Sequence, residues 1–362
     1  MNNRVSRREF LAAATAAGAM AAGRIFPALG GTCAGAWAEG MRINPEIDNL
    51  RVVNCVDPAM IAADPQKWDF VSQNAHVSGK RVRANIDAMA CALARKTSPS
   101  EAWRAIFRKP DAKKWSDVKV AIKPNASGNN TSRVAVIGAV CSALTDLGVA
   151  PENIALYGCH KKGFDKTTGY APFIGGELPK GIVLSDGHEA VGGTAKAEVP
   201  EPGGGAYQCA ASLANGSIDI LVNIATNKGH MIGGLGGISL TMKNHAGTFE
   251  MPVTKHFNGG LKYIIAFNKS RAILGGSPVR QQLCIVDSLW AMKKGPPGVP
   301  TKRPCALSMG TFGPAVDWTV AKRLREPLFG FKHPDFLSMI LTEFGYRPAE
   351  FENLDFVQVT PA

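Results

Sequence analysis

The chain has no Cys-x-x-Cys pair. Its eight cysteines, Cys33, Cys55, Cys91, Cys141, Cys159, Cys209, Cys284 and Cys305, never come at the short spacing by which an iron–sulfur cluster or zinc ribbon is held, which argues against such a cofactor. Aromatic residues are few, at 7%. The basic residues behind the net charge of +12 are scattered, as in Lys161-Lys162, Lys293-Lys294 and Arg323/Arg325. They form no stripe interleaved with rings, so no nucleic-acid partner is expected; small anionic ligands or acidic envelope surfaces fit better. The glycine run Gly233-Gly234-Leu235-Gly236-Gly237 is not followed by Gly-Lys-Ser/Thr, which argues against nucleoside triphosphate hydrolysis through a P-loop. Beyond the N-terminal region no apolar run is long enough for a membrane span. A length of 362 residues, 45% hydrophobic and 19% charged, suits one large or two modest domains.

What is present begins with Ser6-Arg7-Arg8-Glu9-Phe10-Leu11. This order predicts a twin-arginine leader, whose receptor reads the guanidinium groups of both Arg7 and Arg8. An Ala/Gly-rich run from Leu11 to Gly23 follows, and Ala36-Trp37-Ala38 has the small-x-small pattern of a cleavage site. Cleavage after Ala38 is therefore expected, with the mature chain starting at Glu39 in the periplasm and the twin-arginine translocase as partner during export. An uncleaved anchor is disfavoured because Gly and Ala add little transfer energy, and Pro27 with Gly30-Gly31 interrupts the stretch. No stable span is expected in the mature protein. The leader carries four arginines and one glutamate, leaving the mature part at about +9. Proteins on this route fold before export, often around a cofactor. Cys91, Cys141 and Cys284 lie in apolar patterns that suit small core residues.

Hydrophobic periodicity predicts an α/β fold, with a mostly parallel sheet flanked by helices and an N-terminal helical elaboration. Residues 1–38 are read as the leader, 39–117 as an elaboration packed on the core, 118–330 as the α/β domain and 331–362 as a C-terminal helix and tail. Strands are expected at Leu50–Val56, Val118–Ile122, Ile154–Tyr157, Ile182–Leu184, Ile218–Ile224, Leu283–Val286 and Ala306–Met309. Helices are expected at Val82–Arg95, Ser100–Phe107, Thr131–Leu147, from Thr311 or Gly313 to Arg325, and from Pro334 to Phe344. Strand, helix and strand between Val118 and Tyr157 make a βαβ crossover, which implies parallel neighbours. Ligands of such sheets sit at the carboxyl ends of the strands.

Three loops at strand ends carry candidate chemistry. Lys123-Pro124-Asn125 offers a cation and an amide. Tyr157-Gly158-Cys159-His160-Lys161 sets a thiol beside an imidazole, with Gly158 letting the backbone turn closely. The third is the richest: Lys228 and His230 after a buried strand, a glycine-dense segment, then Lys243-Asn244-His245. Two histidines and two lysines in one region suit a transition metal or an anionic substrate. Asp287, at a strand end, is a candidate base or lysine partner, and otherwise a cap for the following turn; Asp317 is a candidate ligand contact or a buried structural partner.

Together, Lys-Pro-Asn after the first strand, Asp-Ile-Leu-Val-Asn with Lys-x-His, Met-Lys-Asn-His-Ala-Gly, the strand ending at Asp287 and Val316-Asp317 resemble the domain of unknown function 362 family over roughly Val118 to Leu324. That resemblance marks Lys123, Asn125, Lys228, His230, Lys243, Asn244, Asp287 and Asp317. Members often carry a ferredoxin-like module; its cysteine runs are absent here, and a redox role resting on them does not carry over. A fainter similarity, at the level of the fold, is to nickel-pincer lactate racemases. It would make His160, His230 or His245 metal or proton-transfer residues and Lys243 a cofactor-holding group.

The resulting expectation is an exported enzyme that binds an anionic substrate or cofactor through Lys123, Asn125, Lys228, Asn244 and Asp317, with His230, His160, Lys243 and Asp287 as catalytic candidates. The alternatives are a non-catalytic periplasmic binding or assembly protein, and a metal-dependent racemase-like or redox enzyme using His160, His230 and His245. Neither the reaction nor a cofactor is legible.

Overall fold

A computed structural model describes residues 42–159, 165–230, 237–250, 260–295, 298–330, 332–333 and 343–362. The predicted leader, His160 and the expected helix Pro334–Phe344, apart from its last two residues, lie outside the described residues.

Eleven strands are described: β1 (Val52–Val56), β2 (Val120–Pro124), β3 (Ile154–Tyr157), β4 (Val183–Ser185), β5 (Thr194–Val199), β6 (Gly205–Ala210), β7 (Ile220–Gly229), β8 (Ile238–Ser239), β9 (Gln281–Met292), β10 (Ala306–Gly310) and β11 (Phe356–Val359). The central sheet runs in the order β11-β1-β10-β9-β7-β2-β3-β4, with β8 attached to β7. It is mostly parallel: β7, β2, β3 and β4 pair in parallel, as do β9 with β7 and β1 with β11. Along this order only β10 runs against its neighbours. The central strands read as near-continuous apolar runs because helices cover both faces.

The first face packs on α1 (Gly79–Ala94), α2 (Pro99–Ile106) and α3 (Val134–Asp146), through Ile86, Met89, Trp103, Ile137 and Val140 against Val120, Ile122, Val222 and Ile285. α1 is started by Ser78, whose side chain accepts from the Arg81 N–H, and α2 by Ser98, which accepts from Glu101. The second face carries Ala121, Ala155, Tyr157, Leu221 and Val286 under α4 (Thr241–Asn244), α5 (Gly260–Lys269), α6 (Gly313–Thr319) and the β5–β6 hairpin. Side chains alternate along a strand, so Lys123 falls on the second face with Ala121. That parity decides where the site lies.

Several elements differ from expectation. Residues 39–117 do more than pack on the core, because β1 is paired on both edges inside the sheet, with β10 and β11. The tail supplies β11, whose pattern is too short to stand out in sequence. β9 has twelve residues because β7 and β10 flank it on either side. The helix expected to end at Arg325 changes after Thr319 into a π-helical stretch, Val320–Arg325. There Arg325 turns inward and donates to Asn227 Oδ1 at 2.6 Å and to the Met292 carbonyl at 3.1 Å. The hairpin β5–β6 turns between Val199 and Gly205.

All seven cysteines among the described residues are free thiols. Cys141 and Cys284 are buried as expected, whereas Cys91 is half-exposed on α1. Among the described residues no helix is long and apolar enough to cross a membrane.

Candidate functional site

β2 and β7 lie side by side with Lys123 opposite Asn223. β2 ends one residue later, at Pro124, and the Asn125 N–H still donates to the Ile224 carbonyl at 2.9 Å. β7 continues to Gly229 and carries Lys228 past the end of its neighbour. Lys228 Nζ reaches back to donate to Asn125 Oδ1 at 2.6 Å and to the Ser127 carbonyl at 2.9 Å. Lys123 Nζ donates to Asp165 Oδ2 at 3.0 Å and lies 5.7 Å from the centre of the Tyr157 ring. The strand ends thus bring two buried ammonium groups to one side of the sheet, with Lys123 1% and Lys228 3% exposed.

The third lysine comes from α4. This one-turn helix is too short to persist alone. Asp317 of α6 anchors its start: Oδ1 accepts from the Thr241 N–H at 2.8 Å and the Thr241 hydroxyl at 2.6 Å, and Oδ2 from the Met242 N–H at 2.9 Å. Its end is tied to the sheet by Asn244 Nδ2, which donates to the Lys123 carbonyl and to Asn223 Oδ1, both at 2.9 Å. Asn125 Nδ2 donates to Asn244 Oδ1 at 3.3 Å. An amide chain therefore runs from Lys228 through Asn125 and Asn244 to Asn223.

From Asn223 the chain continues to His245. Asn223 Nδ2 donates to the Thr241 carbonyl at 2.8 Å and to Gln281 Oε1 at 3.2 Å. His245 Nε2 is 2.5 Å from that same Oε1 and 2.8 Å from Asn223 Nδ2. Nδ1 is hydrogen-bonded to the Thr248 hydroxyl at 3.1 Å, and that hydroxyl to the Tyr157 hydroxyl at 2.8 Å. Burial pushes His245 down to about 4, so the ring is neutral. Both of its nitrogens have protein partners, and through them His245 ties the framework together.

The electrostatics are set by three lysines sharing one carboxylate. Burial, with Lys243 and Lys123 nearby, lowers Lys228 to about 7 against the opposing pull of Asp165. Burial also lowers Lys243 to about 8, with Lys123 adding to the effect and Cys159 and Asp165 opposing it. Lys243 is half-buried, and its side chain makes no hydrogen bond or ion pair with another described residue. Cys159, at the exit of β3, is 8% exposed. Gly158 before it is required by close packing, since a Cβ there would lie 2.2 Å from the Asp186 carbonyl oxygen.

Lys123, Asn125, Lys228, Lys243 and Asn244 are thus brought together as the sequence suggested. Asp317 has both oxygens on the start of α4, which fits the buried structural partner among the expectations, and burial raises it to about 7 against its hydrogen bonds. Asp287 lies at the start of α3, where it accepts from the Arg133 N–H at 2.8 Å and from the Leu289 N–H at 3.0 Å. Burial raises its pKa, with Arg133 opposing. Both oxygens hold backbone, which fits the turn-capping alternative. His230 is half-buried just past β7, its N–H donating to the Gly237 carbonyl at 2.9 Å. Among the described residues no group of three His, Cys, Asp or Glu side chains is placed to hold a metal. Sequence reading missed Asp165, Asn223 and Gln281. Asn223 had a signal, being an amide inside a buried apolar strand; the partners of Asp165 and Gln281 exist only in three dimensions.

No family model, no curated protein and no solved structure matches this chain. The resemblances to the domain of unknown function 362 family and to the lactate racemases therefore rest on their short motifs alone.

Proposed function

We propose that this is an exported periplasmic enzyme that binds a small anionic substrate among Lys123, Lys228 and Lys243 at the carboxyl ends of the parallel strands. The observation that carries the reading is the charge imbalance: three lysines, two of them nearly fully buried, share one carboxylate among the described residues, that of Asp165. Burying uncompensated cations is costly unless an anion joins them. The amide chain through Asn125, Asn244 and Asn223 holds the cations in place before the ligand arrives.

Binding of oxalate and of inorganic phosphate to the purified chain, measured by calorimetry, tests this. At least one is expected to bind, and Lys123→Met or Lys228→Met is expected to weaken it by about tenfold or more. Unchanged affinity in both variants would sink the reading.

A non-catalytic periplasmic binding protein would use the same lysines. The two separate by mutation: in an enzyme Lys243→Ala removes turnover while binding is partly kept, whereas in a binding protein function and affinity fall together. Metal analysis of protein purified from the periplasm addresses the racemase-like or redox alternative; stoichiometric nickel, zinc or iron would return His160 and His230 to the centre.

A further inference from the structure

Between α1 and α3, on the face of the sheet that does not carry Lys123, lies a groove of about 420 Å³. We propose that this groove is a second ligand site, independent of the lysine cluster, which takes a short zwitterionic peptide with small side chains. Its floor is Ala135, Gly138 and Ala139 of α3, all buried, with Ser142 one turn further along the same helix. Lys80 lines it from α1, and Glu177 from a turn that crosses α3.

The walls are fixed by the protein itself. Arg83 of α1, which also lines the groove, donates from Nε to Asp87 Oδ2 at 2.8 Å and from Nη2 to Asp146 Oδ2 of α3 at 3.0 Å. Those bonds tie the two helices together and leave the guanidinium charge already matched. The Glu177 backbone rests on α3, since a Cβ at Gly138 would lie 2.3 Å from the Glu177 carbonyl oxygen. The groups left for a ligand are one ammonium, one carboxylate and one hydroxyl: among the described residues the side chains of Lys80, Glu177 and Ser142 make no hydrogen bond or ion pair. Lys80 also stands in the first turn of α1, where the helix dipole adds to its pull on an anion. Charge complementarity selects the occupant. A purely anionic molecule meets Glu177 and a purely cationic one meets Lys80, whereas a zwitterion pairs its carboxylate with the first lysine of α1 and its ammonium with Glu177. The alanine and glycine floor offers no polar side chain, so it favours small apolar groups between the two ends. Cavities of this size take drug-sized molecules, which suits a dipeptide or tripeptide better than one amino acid.

The test titrates the purified chain by calorimetry with trialanine and, in parallel, with N-acetyl-trialanine amide, which carries neither terminal charge. Trialanine is expected to bind with a Kd of about 1 mM or tighter, and the capped peptide about tenfold or more weakly. Lys80→Met and Glu177→Gln should each weaken trialanine by about fivefold. Gly79 lines the groove, and a Cβ added there meets nothing within 4 Å. Gly79→Leu therefore fills the groove without displacing a neighbour and should remove binding, while its thermal melt stays at or above that of the wild type because leucine is the better helix former. Saturating oxalate should leave trialanine affinity unchanged. Absence of trialanine binding at about 10 mM overturns the inference. So does equal binding of the two peptides, wild-type affinity in a folded Gly79→Leu variant, or competition by oxalate, which would move the peptide to the lysine cluster.

Discussion

Lys228 Nζ donates to Asn125 Oδ1 across 2.6 Å, joining a strand end to the loop that leaves the neighbouring strand. The acceptor is an amide, so it orients the lysine without neutralising it. A carboxylate in its place would form an internal ion pair. Asn125→Asp is therefore expected to satisfy Lys228 from within and to lower anion affinity by about tenfold or more. Calorimetry with oxalate measures it, and wild-type affinity in the variant would contradict the role given to Lys228.

Anion binding should take up protons. Lys228 is held near 7 and Lys243 near 8 by burial and by neighbouring cations. A bound anion reverses part of that, raising both values. Around pH 8 binding is thus accompanied by proton uptake, and affinity falls as pH rises through this range. Calorimetry in Tris and in triethanolamine gives the proton count from the difference in observed heat. Zero uptake would mean that the anion does not sit against these lysines.

The same depression shapes stability. An unfolded lysine titrates near 10.4, so between about pH 7 and pH 10 the unfolded chain binds more protons than the folded one. Stability from Lys228 therefore rises with pH across that window and is flat below it. Lys228→Met removes a slope of at most about 1.4 kcal/mol per pH unit, leaving the smaller part due to Lys243. Urea unfolding at several pH values between 7 and 9.5 should show wild type gaining on the variant as pH rises; a constant difference refutes the depressed value.

Asp317 holds the start of α4 with both oxygens. Asp317→Asn turns one acceptor into a donor facing the Met242 N–H. The expected cost is about 2–3 kcal/mol, with anion affinity also reduced because α4 carries Lys243 and Asn244. A thermal melt with an oxalate titration checks both, and an unaltered melt would mean that α4 does not depend on this anchor.

Gly158→Ala would put a methyl group 2.2 Å from the Asp186 carbonyl oxygen. The backbone has to shift, at a cost of about 1–3 kcal/mol, and Cys159 shifts with it. Reduced stability with weaker anion binding is expected.

The export reading has its own measurement. N-terminal sequencing of protein recovered from the periplasm should begin at Glu39; recovery of an intact Met1 would refute cleavage.

Much of the sheet was legible because its signals are local. Val118–Ile122, the helix behind it and Ile154–Tyr157 announce a βαβ unit by apolar runs of the right length, and parity along β2 assigns Lys123 to a face. The Lys-Pro-Asn and Lys-Asn-His segments stand out because open α/β sheets bind ligands at the carboxyl ends of their parallel strands. Composition likewise argued against clustered thiolates. Local pattern could not assign roles. Asp317 and His245 look like site chemistry in sequence, but their atoms are taken by groups 76 and 36 residues away. Asp165 carries no signal until Lys123 meets it across 42 residues. Three lysines are ordinary cations along the chain; folding strips their water and sets them beside one another. Desolvation and Coulomb repulsion are sums over neighbours in space, so only the tertiary structure decided which lysine is paired with a carboxylate and which is not.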